Sequence, residues 1–86
     1  MTVLCKFCGV VVGMLFAPLL GAHFHAICGD HELVVAIQPL RVIQGDAPAG
    51  VRDLVLRWAG RHQLELLRAW NACGQGCRPR PIAPLA

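Results

Sequence analysis

Two histidines stand two residues apart in His23-Phe24-His25. On a β-strand that spacing turns both imidazoles to one face, where a pair can hold a metal ion, relay a proton, or simply hydrogen-bond at a strand start. A phosphodiester-cleaving toxin or nuclease would use one of them as general base, and it would also need an acid group and a phosphate clamp. Nothing in the sequence names those partners. No catalytic residue is therefore assigned: His23 and His25 are the candidates if the chain is an enzyme, and with Phe24 they form a first candidate binding surface.

The second set of residues suited to chemistry is the cysteines. Cys5-Lys6-Phe7-Cys8-Gly9 has the form of a zinc knuckle, and Cys73 with Cys77 would complete four thiolates around one ion. The second pair has three residues between its cysteines where a knuckle usually has two. Residues three apart on a strand also face opposite sides, so Cys5 and Cys8 meet only across a turn. No metal is assigned, and these four stay minor candidates. Five cysteines is an odd number, which suits reduced thiols in the cytoplasm better than a disulfide framework, with a Cys73–Cys77 disulfide as the rival.

The third set is basic. On a helix, Arg57, Arg61 and Arg68 fall within about 40° of one another, as a stripe interrupted by Leu64 and bordered by Asp53. Leu56, Leu64 and Leu67 widen the apolar arc of the same helix beyond what one packed face requires. A buried cluster rimmed by arginine is the composition that protein interfaces favour. With Arg78 and Arg80 the stripe would also suit phosphates, although no aromatic platform accompanies it.

The elements that must position these residues are strands first and a helix last. Residues 1–45 are strand-rich, 46–74 helical and 75–86 an extended tail, in a single domain. Val3 to Phe16 reads as one strand or two, Ala17 to Ala22 as a loop, and His23 to Cys28 as a strand closed by Gly29-Asp30. Glu32 to Gln38 alternates with a period of two, and Leu40 to Ile43 pairs again after Pro39. This predicts an α+β fold with a small antiparallel sheet of three to four strands. One long amphipathic helix over about Ala49 to Cys73 follows, with Asp46 as N-cap and Gly74 just past its end. Its sheet-facing stripe is Val51, Val55, Trp58, Ala59, His62, Leu66, Ala69 and Cys73. At about 1.5 Å per residue such a helix overhangs the strands, and Gly60 marks a possible bend. Arg78-Pro79-Arg80-Pro81 with Pro84 is extended because each proline disfavours helix before it.

Composition bounds the function. Hydrophobic residues make up 56% of the chain and charged residues only 15%, against roughly a quarter charged in soluble domains. Apolar surface is left over for a protein partner or a second copy. The net charge of +3 is too small to imply nucleic acid by itself. The uncharged run from Phe7 to Ala22 follows Lys6 in the order of a secretory signal, but Gly9, Gly13 and Pro18 interrupt it and Leu20 is a poor residue before a cut at Ala22. It is also short for a membrane span. The β-branched Val10-Val11-Val12 favours a buried strand instead, so no membrane is expected.

The order of motifs resembles a small bacterial family, domain of unknown function 4160. The residues that carry the likeness are Lys6-Phe7-Cys8-Gly9-Val10-Val11-Val12, His23-Phe24-His25-Ala26 with Cys28-Gly29, Gln44-Gly45-Asp46-Ala47-Pro48, Val55-Leu56-Arg57-Trp58-Ala59 with His62, Glu65-Leu66-Leu67-Arg68-Ala69-Trp70, and Ile82-Ala83-Pro84-Leu85. Family members typically carry Arg at Lys6, an aromatic at Cys8, Tyr at Phe16 and Cys28, two prolines at Gly21-Ala22, and Glu at Arg57. The resemblance implies a cytoplasmic setting, no cofactor, and gene neighbourhood with a second small domain, hence toxin–antitoxin-type pairing. It implies no established reaction. The expectation is an interaction module rather than an enzyme.

Overall fold

Cys8 and Gly9 both adopt positive φ, at 48° and 77°, which is the backbone of a two-residue hairpin turn. They split the first apolar run into β1 (Thr2–Phe7) and β2 (Val10–Met14). Gly29 and Asp30 turn β3 (His23–Cys28) into β4 (His31–Ile37), and Gln38-Pro39, joined by a cis peptide, turns β4 into β5 (Leu40–Asp46). The computed structural model, which describes residues 1–18 and 21–85, thus holds a five-stranded antiparallel sheet in the order β1-β2-β3-β4-β5. Leu19 and Leu20, within the expected loop from Ala17 to Ala22, lie outside the described residues. The strand expected across Val10-Val11-Val12 is β2.

The α+β class holds, and two details differ from expectation: among the described residues there are five strands rather than three to four, and two helices rather than one. The helical region divides into α1 (Ala49–Arg61) and α2 (Gln63–Gly74) at His62, whose N–H bonds to the Ala59 carbonyl and so leaves the α-helical ladder. The ladder restarts when the Leu66 N–H bonds to the His62 carbonyl. The Gln63 side chain donates to the Ile37 carbonyl at the end of β4, which seats the start of α2 against the sheet. A straight helix would have overhung the strands. The bend lets α2 cross the sheet end where β2 stops and β3 starts, with Trp70 against His23 and Phe16. Asp46 is not the N-cap: it ends β5, its carboxylate accepts from the Ala47 N–H, and Pro48 caps α1 without a side-chain bond.

One face of the sheet and the inner sides of the helices form the core. Val12, Ala26 and Leu33 make one cross-strand row, and Phe24 and Val35 make the next. Trp58 sits over them fully buried, its ring centroid 5.5 Å from Phe7 and 5.9 Å from Phe24. Of the expected helix stripe, Val55, Trp58, Ala59, Leu66 and Ala69 are buried, while Val51, His62 and Cys73 are half-buried. The opposite face carries the row Val3, Gly13, His25, Val34, Gln44. At Gly45, φ is +89° and a Cβ would collide with the Glu32 backbone, so the close approach of β5 to β4 there requires glycine.

The proline tail is extended as expected, and it is also docked. The Ile82 N–H donates to the Leu4 carbonyl at 3.0 Å, and the Trp58 indole N–H donates to the Ala83 carbonyl at 2.8 Å. Ile82 is only 5% exposed, so the tail forms a strap over β1 and α1. Among the described residues no helix is long and apolar enough to cross a membrane.

Candidate functional site

The hairpin between β3 and β4 builds the first site. Its two-residue turn pairs Cys28 with His31, and hence Ile27 with Glu32 and His25 with Val34. His25 and Glu32 are therefore diagonal neighbours on one face, and His25 Nδ1 lies 3.0 Å from Glu32 Oε2. His23, one period earlier, is fully buried, with Nδ1 2.9 Å from the Gly21 carbonyl oxygen. The two imidazole centroids are 5.2 Å apart, edge to face. The Nε2 atoms of both rings are buried and have no hydrogen-bond partner among the described residues. Phe24 points the other way, into the core against Trp58, and is not part of this surface. Glu32 is the acid group that the chain alone did not single out; the register of a two-residue hairpin would have found it.

A second site lies between α2 and the strap. Glu65, Arg68, Ala69 and Ala72 form one wall, and Arg78 to Ile82 form the other, around a groove of about 490 Å³. Three guanidinium groups, from Arg68, Arg78 and Arg80, line it against a single carboxylate. That carboxylate is engaged: Glu65 Oε1 lies 2.7 Å from His62 Nδ1. Ala69, Ala72 and Ile82 give the groove an apolar floor. Going round α2 by about 100° per residue, Leu64 comes next to Arg68 on the outer side, and Leu64 is 61% exposed.

The break at His62 divides the expected arginine stripe. Arg57 and Arg61 are exposed on α1 and Arg68 is exposed on α2, so the angular relation of a continuous helix does not carry across. Leu56 and Leu67 are half-buried and complete the core, and of the three margin leucines only Leu64 is free. Arg68 is thus brought together with the tail arginines, with Leu64 beside it on α2, while neither His23 nor His25 lines that groove. The strap's share of the groove was missed because its docking depends on Ile82 and on the Trp58 N–H, far apart in the chain.

The four cysteines do not converge. Cys5 is buried in the core, Cys8 sits exposed in the β1–β2 turn, Cys73 is half-buried near the end of α2, and Cys77 is exposed beyond it. All five cysteines are free thiols. Among the described residues, no three histidine, cysteine, aspartate or glutamate side chains cluster as a metal site. Burial pushes the Cys5 thiol up from its ordinary value despite the backbone hydrogen bond at Lys6, and burial raises Cys73 likewise.

The profile of a family described as a domain of unknown function, DUF4160, matches residues 9–71. The chain belongs to the DUF4160 family. The match takes in both histidines of β3 and most of α2, and it stops before the strap that completes the groove. No curated protein and no solved structure matches the chain.

Proposed function

We propose that this DUF4160 chain is a protein-interaction module that grips an acidic segment of a partner between α2 and the C-terminal strap. The observation that supports it is the groove itself: Arg68, Arg78 and Arg80 around an apolar floor, flanked by the exposed Leu64. Desolvated arginine beside an apolar anchor is the usual composition of an interface hot spot. A second copy of the chain fits this groove poorly, because a two-fold contact would set the arginines of one copy against those of the other. One component of a toxin–antitoxin-type pair is the biological form this module would take, with the acidic segment on its companion.

The reading as an RNA-directed toxin or nuclease draws support from the His25–Glu32 pair, since a carboxylate on Nδ1 is how a general base is oriented. It is weakened by the burial of both Nε2 atoms, which keeps a phosphodiester from either base, and because neither histidine lines the groove that holds the arginines.

The test is affinity purification of the tagged chain from its own host, beside Leu64→Asp and Arg68→Glu variants. One protein held in stoichiometric amount by the wild type and lost from both variants is expected. Retrieval of nothing, or equal retention by both variants, would sink the proposal.

A further inference from the structure

Each histidine of β3 has its Nδ1 against an atom that can only accept: the Gly21 carbonyl for His23, the Glu32 carboxylate for His25. Each Nδ1 therefore carries the proton. In a neutral ring that leaves Nε2 as a bare lone pair. Both Nε2 atoms are nonetheless buried and, among the described residues, unpartnered, on adjacent rings of one strand face. Buried polar atoms are nearly always satisfied, so two bare acceptors side by side point to a common electrophile.

We infer that His23 and His25 bind one late first-row transition-metal ion through their two Nε2 atoms. Imidazole nitrogen is a preferred ligand for zinc, copper and nickel. Ligating histidines regularly donate their other N–H to a carboxylate or a backbone carbonyl, which fixes the ring and raises its basicity. Glu32 and Gly21 supply one of each. Trp70 closes one side of the His23 ring at 5.1 Å. On the neighbouring strand, Gly13, the cross-strand partner of His25, has no side chain, and Met1 lies over it. No third histidine, cysteine, aspartate or glutamate joins the pair among the described residues, so any further ligands to the ion are small ones such as water. This site is separate from the arginine groove and does not depend on it.

The test uses the full chain, labelled with nitrogen-15 and kept reduced, with Zn²⁺ as the probe. Long-range proton–nitrogen spectra of the imidazoles are expected to show both His23 and His25 protonated at Nδ1. With added Zn²⁺ their two Nε2 signals shift together and saturate at one equivalent, while those of His31 and His62 stay. Glu32→Gln, a surface change that leaves the fold intact, lowers the Zn²⁺ affinity about tenfold, and His25→Asn abolishes the shift at His23. Failure of either Nε2 signal to move, which includes capture of the ion by the thiolates, overturns the inference. So does a shift at His23 that survives His25→Asn.

Discussion

Ile82→Ala probes whether the C-terminal strap is part of the fold. Ile82 is almost fully buried against the core, its N–H is bonded to Leu4, and the next carbonyl accepts from Trp58. Truncating a buried isoleucine to alanine costs about 2–5 kcal/mol. The strap is a terminal segment and can settle into part of the space, so the lower end, about 2 kcal/mol, is expected. For a domain of this size, total stability is on the order of 4–13 kcal/mol, and a urea slope near the low limit of about 1 kcal/mol/M is expected. The urea midpoint therefore falls by about 2 M, followed by tryptophan fluorescence, since Trp58 lies directly beneath the strap. Trp58→Phe removes the donor to Ala83 together with part of a fully buried ring, so it costs more than the about 1 kcal/mol of the hydrogen bond alone. A midpoint within about 0.3 M of wild type for Ile82→Ala would refute the docked strap. It would also undercut one wall of the groove, because Ile82 helps to anchor the segment that carries Arg78 and Arg80.

Gly45→Ala places a side chain at φ +89° against the Glu32 backbone and is expected to cost more than about 2 kcal/mol; a thermal midpoint like that of wild type would contradict it. Trp70→Ala opens the cluster in which the ring meets Phe16 at 4.7 Å and His23 at 5.1 Å, costing about 2–3 kcal/mol because the site is only half-buried, and urea unfolding measures it. The thiols of Cys5 and Cys73 are raised by burial, so the native chain keeps those protons to higher pH than the unfolded chain. Their contribution to stability is whole below the ordinary thiol value of 9.0 and is lost as pH rises through the native values. Urea midpoints taken on either side of that value should fall with pH, and fall less in a Cys5→Ala, Cys73→Ala variant; an equal fall in both would dismiss the two thiols as the cause.

Where local residues decide local backbone, the chain could be read directly. The Gly29-Asp30 turn, the alternation of β4 and the buried stripe through Val55, Trp58 and Leu66 all follow from periods of two and 3.6. The turn at Cys8-Gly9 was harder to see, because cysteine seldom adopts the positive φ it has here. The break at His62 has no proline to announce it. It arises because α2 must cover the strand ends, and Gly60, two residues earlier, was its one local cue. Of the sites, the His23–His25 pair was visible as spacing, while its carboxylate partner required the hairpin register. The groove was least legible, since it is assembled from one helix face and a tail whose docking depends on contacts across the whole chain.

The central claim is that the chain acts through the groove and its leucine flank. A photo-crosslinking residue placed at Leu64, and in a separate preparation at Ile43, an exposed apolar position on β5, tests it inside the host cell. The account predicts one dominant crosslinked protein from position 64, lost when Arg68→Glu is added, and none from position 43. Equal crosslinking from both positions, or none from position 64, would contradict it.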